Sequence, residues 1–314
     1  MTRRVAAACL TACLAAGLSP GASAAGAAPA GPAPAGADAP RRVVSINLCT
    51  DQLAMMLAAP GQLVSVSWLA RDPVSSALAD RAADYPVNHA LAEEIYLLRP
   101  DLVLAGRYGS ATTVAMLERL GIPVVLFDTE RDFDDLRGNI GRMGDALGRA
   151  PQADAMIAQF DRDLAALGDA PGARPSAAMY HANGYTAGDA SLSGQILAAA
   201  GWRNIAAEAG LPAGGTLALE QLVLANPDLI VQGQRFAGAS RAEEVLGHPV
   251  LSGLAREGRG TVRSSPDWVC GTPRVLRAVA ALRQLRLRAD AAPIPADAAP
   301  APGGAPQGGH GALP

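Results

Sequence analysis

One twelve-residue phrase occurs twice in this sequence, and the two copies lie 127 positions apart. The copies read EEIYLLRPDLVL at 93–104 and EQLVLANPDLIV at 220–231. Each combines a glutamate, an apolar run, Pro-Asp-Leu and aliphatic residues, which predicts a helix that ends before proline and then a buried strand. A unit used once in each half predicts two similarly built lobes with a cleft between them, and the function is to be sought in that cleft.

Strands and helices alternate around both copies, which predicts an α/β protein with two parallel-sheet lobes. The N-terminal lobe is predicted over 41–130 and the C-terminal lobe over 171–288. Between them, at 131–170, apolar residues recur at helical spacing, which predicts a long linking helix. Pro151 either kinks this segment or lies in the first turn of a second helix.

The N-terminus predicts export. Two arginines precede an apolar run at 5–18, and Ala-Ser-Ala at 22–24 matches a cleavage site, so 1–24 is predicted to be a signal peptide that directs the protein to the periplasm. A lipid anchor on Cys13 is the alternative, because the four residues that end there resemble a lipobox.

The segments 25–40 and 289–314 are rich in Ala, Pro and Gly. They have little apolar surface to bury, so we expect a disordered tether and a disordered tail. No other segment approaches the length of a membrane span.

Composition and motifs exclude several functional classes. All 26 basic residues are arginine, the formal net charge is −3, and the arginines form no dense patch. We therefore expect no nucleic-acid partner. Beyond the predicted signal peptide, the common nucleophile, zinc-protease, P-loop and dinucleotide motifs do not occur, so neither enzymatic activity nor a cofactor is expected.

Chemically distinctive side chains are predicted just beyond the carboxyl ends of the strands, where parallel α/β lobes bind ligands. Aromatic faces and guanidinium groups suit a large, flat or anionic ligand such as a metal chelate or macrocycle. For any one of these residues, packing beneath a loop is the alternative. The predicted ligand-binding residues are Cys49, Trp68, Arg71, His89, Arg107, Tyr108, His181, Tyr185, Arg235, Trp268 and Cys270.

Cys49 and Cys270 are the two cysteines that follow the predicted signal peptide, and they lie in opposite lobes. In an oxidising compartment they could form a disulfide across the cleft, or remain free thiols that contact a ligand or metal with His89 or His181, or pack without such a role. The free-thiol reading also supports a second function, an exported metal- or thiol-dependent enzyme that uses Cys49, Cys270, His89 and His181.

Glu93 and Glu220 open the two copies of the phrase. The helix macrodipole alone favours a glutamate in a first helical turn. It does not account for an equivalent glutamate in both lobes, and two matched carboxylates could form two docking points for a partner that carries two sets of arginines.

Several segments together resemble those of the periplasmic substrate-binding proteins of ABC importers, in the subgroup for iron–siderophore, haem and cobalamin. These segments are 44–51, 93–104, 184–188, 201–206 and 220–231, and the resemblance covers roughly 41–287. It implies two α/β lobes joined by a long rigid helix, with the ligand held between them and only modest closure.

The resemblance implies that the protein captures a metal chelate or corrinoid and delivers it to an ABC permease dimer with its ATPase. It implies a monomer in which Glu93 and Glu220 match the two family glutamates that pair with arginines of the permease. The facing Cys49 and Cys270 depart from the family's commoner pattern. That departure disfavours an ordinary hydroxamate or catecholate siderophore and leaves room for a cobalamin-like ligand or an unusual chelate.

Overall fold

A computed structural model of the chain describes residues 39–169, 172–234, 240–256 and 260–291, which all lie in one compact unit. The predicted signal peptide with Cys13, the tether before residue 39, the tail after residue 291 and Arg235 lie outside the described residues. Within the described ranges, no helix combines the length and the hydropathy needed to cross a membrane.

The first lobe is built on a five-stranded sheet in which all strands are parallel, in the order β3-β2-β1-β4-β5. Its strands are β1 (Val43–Ser45), β2 (Leu63–Ser67), β3 (Val87–Asn88), β4 (Leu102–Gly106) and β5 (Val124–Phe127). The helices between them are α1 (Leu48–Leu57), α2 (Ala79–Ala82), α3 (Ala92–Leu97) and α4 (Ala111–Arg119).

Two helices, not one, occupy the segment between the lobes. They are α5 (Phe133–Leu147) and α6 (Ala150–Leu167). α5 ends at Gly148, whose φ of 64° lies in the left-handed region, and Pro151 lies in the first turn of α6. Of the two alternatives for Pro151, the one that places it in the first turn of a second helix is confirmed, so the linking segment predicted over 131–170 consists of two helices.

The two helices pack against each other in antiparallel orientation. The rings of Phe133 and Phe160 meet edge to face at 5.6 Å between centroids. Near the turn, a Cβ on Gly144 would lie 2.4 Å from the Cβ of Ala153, so glycine is needed for this close approach. α5 packs on α1 and α6 contacts the C-terminal helix, so α6 is the helix that runs from the first lobe to the second.

The second lobe is built on a four-stranded parallel sheet in the order β11-β10-β6-β8, beside an antiparallel ribbon of β7 and β9. The strands are β6 (Ser176–Tyr180), β7 (Tyr185–Thr186), β8 (Arg203–Asn204), β9 (Gly215–Thr216), β10 (Leu229–Gln232) and β11 (Gly260–Arg263). The helices are α7 (Leu192–Ala199), α8 (Ile205–Glu208), α9 (Leu219–Ala225), α10 (Pro249–Arg256) and α11 (Val275–Ala291). α11 extends three residues into the predicted tail. The two-lobed parallel α/β fold is confirmed.

The repeated phrase forms the predicted helix and buried strand in both lobes, as α3 with β4 and α9 with β10. In each copy the residue before proline adopts positive φ, 47° at Arg99 and 44° at Asn226, which turns the chain out of the helix. The strand residues Val103 and Leu104, like Ile230 and Val231, are fully buried because both faces of each sheet are covered.

The aspartate of each phrase binds the backbone at the start of a neighbouring central strand. Asp101 accepts the N–H groups of Arg41 and Arg42, at 2.7 and 2.9 Å, just before β1. Asp228 accepts the N–H and the hydroxyl of Ser176, at 2.9 and 2.8 Å, at the start of β6. The aspartate of Pro-Asp-Leu thus joins the starts of two neighbouring central strands, β4 to β1 in the first sheet and β10 to β6 in the second.

Candidate functional site

Each sheet has one point where the strand order reverses, between β1 and β4 in the first lobe and between β6 and β10 in the second. Asn47 follows β1 and Gly106 is the last residue of β4, while His181 follows β6 and Gly233 follows β10. A Cβ on Gly106 would lie 2.8 Å from Asn47 Nδ2, and one on Gly233 would lie 2.6 Å from His181 Nδ1. His181 therefore occupies in the second lobe the place of Asn47 in the first, at the crevice where such folds bind ligands.

A cavity of about 220 Å³ lies at this edge of the first sheet and reaches the second lobe at Val269. Its polar lining comes from the residues that follow β1, β4 and β5, namely Asn47, Thr50, Arg107, Asp128, Thr129 and Glu130. Of all the residues that line the cavity, the sequence prediction included Cys49, Arg107 and Tyr108. Asp128 and Glu130 were missed although they follow β5, where the strand-end rule would have found them.

Cys49 and Cys270 form a disulfide across the two lobes. Cys49 is the second residue of α1, and Cys270 follows the short 3-10 helix Pro266–Trp268. Cys49 and Val269, the neighbour of Cys270, both line the cavity, so the bond forms part of its wall. The disulfide alternative is confirmed, and the alternative of free thiols that contact a ligand is wrong.

Glu130 provides a second connection between the lobes beside the disulfide. Its buried carboxylate accepts hydrogen bonds from Asn139 Nδ2, at 2.7 Å, and from the backbone N–H of Gly271. Burial raises the pKa of Glu130 above its ordinary value, while these hydrogen bonds oppose the rise. A Cβ on Gly271 would lie 2.3 Å from Glu130 Cγ, so this contact requires glycine.

The two predicted arginines of the first lobe are bound by the protein itself. Arg107 donates two hydrogen bonds to Asp128, and this pairing lowers the pKa of the Asp128 carboxyl. Arg71 donates to the backbone carbonyls of Ala82 and Tyr85, which gives it a structural role at the end of α2. Arg107 therefore offers the cavity no uncompensated positive charge, and Arg71 does not line the cavity.

Exposed aromatic side chains lie at the carboxyl edges of both sheets. Trp68 is 52% exposed after β2, Tyr108 is 83% exposed after β4, and Tyr185 is 48% exposed after β6. Trp268 lies close to the disulfide in sequence and is half-buried against the core. Trp202 is fully buried and its Nε1 donates to the Leu282 carbonyl at 3.1 Å, so it is a core residue.

The two predicted histidines have different surroundings. The His181 ring is half-buried, 6.3 Å from the Tyr185 ring between centroids, and burial lowers the pKa of His181, so its imidazole is neutral near pH 7. His89 is exposed after the edge strand β3, with Nδ1 3.4 Å from Glu94 Oε1, and it does not line the cavity. Across the described ranges, no group of three or more His, Cys, Asp or Glu side chains is arranged to hold a metal ion.

A buried carboxylate beneath the site holds the start of the Trp68 segment. Asp51, in α1, accepts the N–H of Ser67 at 3.0 Å and also its hydroxyl. Burial raises the pKa of Asp51 to about 7, against hydrogen bonds from Ser45 and Ser67 that lower it. Asp51 is therefore largely protonated in the folded protein below neutral pH.

This raised pKa predicts that stability falls as the pH rises. The folded state retains a proton on Asp51 between pH 3.8 and about 7, where the unfolded state loses it. Each pH unit in that window should lower the free energy of unfolding by about 1.4 kcal/mol relative to Asp51→Asn, which has no such proton. Urea unfolding across the window measures this difference. Asp154→Asn, on the surface of α6, should track the wild type, and parallel profiles for wild type and Asp51→Asn would contradict the prediction.

Glu93 and Glu220 are both exposed on the first turns of α3 and α9. In the part of the chain that the structure describes, neither carboxylate has a hydrogen bond or an ion pair. The adjacent Glu94, by contrast, has a partner nearby in sequence, because its carboxylate accepts the His89 N–H at 2.7 Å.

The sequence matches the family model described as "Periplasmic binding protein" over residues 43–256, and the chain belongs to this family. The family consists of binding proteins, so the alternative of an exported enzyme is wrong.

Two curated relatives carry ligand names. A cobalamin-binding protein of Halobacterium salinarum is 31% identical over 200 residues, which cover 62% of this chain and 54% of that protein. A vitamin B12-binding protein of Yersinia pestis is 26% identical over 201 residues, which cover 62% of this chain and 70% of that protein. The chain spans about half the length of the archaeal relative.

Among solved structures, the periplasmic haem-binding protein HutB of Vibrio cholerae matches with a TM-score of 0.65. The match covers 78% of this chain and 98% of that structure at 19% sequence identity. At this identity the match shows the fold alone.

Proposed function

We propose that this protein is the substrate-binding component of an ABC importer and that its ligand is a cobalamin-type corrinoid. The observation that carries this proposal is the charge balance of the cavity. Arg107 is neutralised by Asp128, and the other polar groups beside them are an amide, hydroxyls and a buried carboxylate whose pKa is raised.

Such a lining favours a neutral ligand rich in hydrogen-bonding groups. Haem carries two carboxylates and many ferric siderophores are anionic, so a site for them gains from guanidinium groups that are free to pair. The periphery of a corrinoid carries neutral amides, which can pair with Asn47, Thr129 and the neutral imidazole of His181 without a net charge.

The exposed aromatic residues provide the rest of the contact surface. A cavity of about 220 Å³ is smaller than pockets that enclose drug-sized molecules, so a macrocycle would place only one edge inside it. Trp68, Tyr108 and Tyr185 then offer apolar faces to the remainder of the ring. The names of the two curated relatives agree with this ligand class.

Fluorescence titration of the mature protein tests the proposal. Trp202 is buried in the core, so quenching should come from Trp68 and Trp268, which lie at strand ends. We expect saturable quenching by cyanocobalamin at micromolar or lower concentration, and weaker binding of haemin and a ferric hydroxamate. Tight binding of haemin with no binding of cyanocobalamin would overturn the corrinoid assignment, and no binding of any of the three would overturn the importer assignment.

Replacing Trp68 tests where the ligand lies. Trp68→Ala should weaken cyanocobalamin binding about tenfold, because it removes one large aromatic contact. Trp268→Ala should weaken it as well. Tyr96→Ala is the matched control, since Tyr96 is 53% exposed within the helix α3 and does not follow a strand end. Unchanged affinity in both tryptophan variants would move the pocket elsewhere.

We further propose that the protein acts in the periplasm as a monomer, after removal of residues 1–24, and docks on a permease dimer through Glu93 and Glu220. Two exposed carboxylates without local partners suit guanidinium groups on such a partner, where ion pairs mainly orient the encounter. Mass spectrometry of the mature N-terminus distinguishes signal cleavage from a lipid anchor at Cys13.

A further inference from the structure

In both copies of the repeated phrase, some residues are buried or hydrogen-bonded within the protein and others are exposed. Ile95 and Leu222 are fully buried at equivalent positions, and Asp101 and Asp228 bind the backbone as described above. These contacts account for why both copies carry an apolar residue and an aspartate at those positions. They do not account for the exposed positions of the phrase.

Leu97 and Leu224 occupy one such exposed position in the two copies. Leu97 is 78% exposed and Leu224 is 85% exposed, the latter being the highest value among the large apolar residues that the structure describes. Each follows its glutamate by four residues on the same short helix, so glutamate and leucine lie side by side on one helical face. We call Glu93 with Leu97, and Glu220 with Leu224, the Glu–Leu pairs.

Both pairs lie near the edges of the sheets that face the cleft. β3 ends at Asn88, whose Nδ2 donates to the carbonyls of Ser45 and Val66, at 2.9 and 3.0 Å, where β1 and β2 end. α3 begins four residues later. In the second lobe, Leu217 N–H donates to the Gly184 carbonyl at 2.9 Å, just after β6, and α9 follows directly. The Glu–Leu pairs therefore flank the cleft, one on each lobe.

We infer that Leu97 and Leu224 are two matched apolar contacts for the permease, each inserted beside the salt bridge of its neighbouring glutamate. This inference rests on the proposed function and specifies the partner surface: a two-fold symmetric dimer that presents, twice, an arginine beside an apolar recess. Exposure of a leucine side chain to water is unfavourable in the free protein, and burial against a partner removes that exposure. The burial therefore adds affinity, whereas exposed ion pairs alone add little.

The charges argue against a second copy of this chain as the occupant. Two copies that met through these faces would bring glutamates of the same sign together, and such juxtaposition is unfavourable. A permease with complementary arginines has no such conflict. Self-association through the Glu–Leu pairs is thus a distinct outcome that the experiment can detect.

Delivery to spheroplasts measures docking separately from ligand binding. Spheroplasts of the native host that lack this gene receive purified protein loaded with radiolabelled cyanocobalamin, and uptake is followed against protein concentration. Leu97→Ser with Leu224→Ser should raise the apparent KM for the loaded protein about tenfold. Each single variant should show an intermediate rise, and cyanocobalamin affinity in solution should stay at the wild-type value.

The controls separate apolar docking from charge and from damage to the fold. Leu120→Ser with Leu287→Ser changes two leucines that are 49% and 51% exposed outside the Glu–Leu pairs, and it should leave the apparent KM unchanged. Added salt screens the ion pairs and should raise the apparent KM of the wild type. The ratio of the apparent KM of the Leu97→Ser, Leu224→Ser variant to that of the wild type should stay constant as salt is added.

An apparent KM equal to wild type, with normal ligand binding, overturns the inference and leaves the proposed function standing. A concentration-dependent dimer that the Leu97→Ser, Leu224→Ser variant abolishes also overturns it, in favour of a second copy. Failure of the wild type to bind or deliver cyanocobalamin overturns the proposed function, and the inference with it.

Discussion

Cells in which this protein carries Glu93→Ala and Glu220→Ala together are expected to lose cyanocobalamin uptake, while the purified variant binds cyanocobalamin as tightly as wild type. Both side chains are exposed and neither lines the cavity, so ligand contacts are unaffected. Loss of both charges removes the two groups that orient the protein on the proposed permease, and exposed charges of this kind act mainly on the rate of productive encounter. We expect uptake below about a tenth of wild type.

A matched control carries the same change of charge elsewhere. Glu118→Ala with Glu244→Ala removes one exposed glutamate from each lobe, from α4 and from the 3-10 helix Arg241–Gly247. This variant should transport normally. Wild-type uptake by the Glu93→Ala, Glu220→Ala variant would show that the docking assignment is wrong, whatever the ligand.

Loss of the disulfide is expected to cause the largest change in stability. The bond joins residues 221 positions apart, so it removes much of the conformational freedom of the unfolded chain. In the chain-entropy model, Cys49→Ala with Cys270→Ala should lower the free energy of unfolding by up to about 5 kcal/mol. Urea unfolding under oxidising conditions measures this change as a lower midpoint.

Reductant provides the internal control for the disulfide. It should destabilise the wild type to nearly the level of the Cys49→Ala, Cys270→Ala variant, and it should not affect the variant. Peptide mapping without reduction should recover the linked pair from the wild type. Two alkylatable thiols in the mature wild-type protein, with no response to reductant, would show that the bond is absent.

Local sequence patterns were sufficient to predict the two-lobed fold. The phrase at 93–104 and 220–231 specifies a helix, a chain reversal and a buried strand through residues close in sequence, and the structure contains all three in both lobes. A second helix was one of the two alternatives at Pro151, but the chain reversal at Gly148 was not predicted, because helical periodicity continues on either side of it. A glycine within an amphipathic pattern does not by itself indicate that two helices fold back on each other.

The site was only partly predictable, because the sequence shows which residues follow strands but not what those residues contact. Arg71 follows β2 as predicted, yet its guanidinium binds backbone carbonyls at the end of α2. His89 follows an edge strand, and that placement depends on the strand order, which a list of strands does not give. The equivalence of Asn47 and His181 likewise became visible only from the register of the strands.

For the permease docking proposed above, the covalent link between the lobes would limit how the permease distinguishes loaded protein from empty protein. The Cys49–Cys270 bond and the Glu130–Gly271 contact restrain the lobes at the cavity wall, and α6 spans them elsewhere. The spacing between Glu93 and Glu220 should then be nearly the same with and without ligand. Empty protein would compete with loaded protein for the permease, and the import rate would depend on the ratio of the two forms as well as on the amount of ligand.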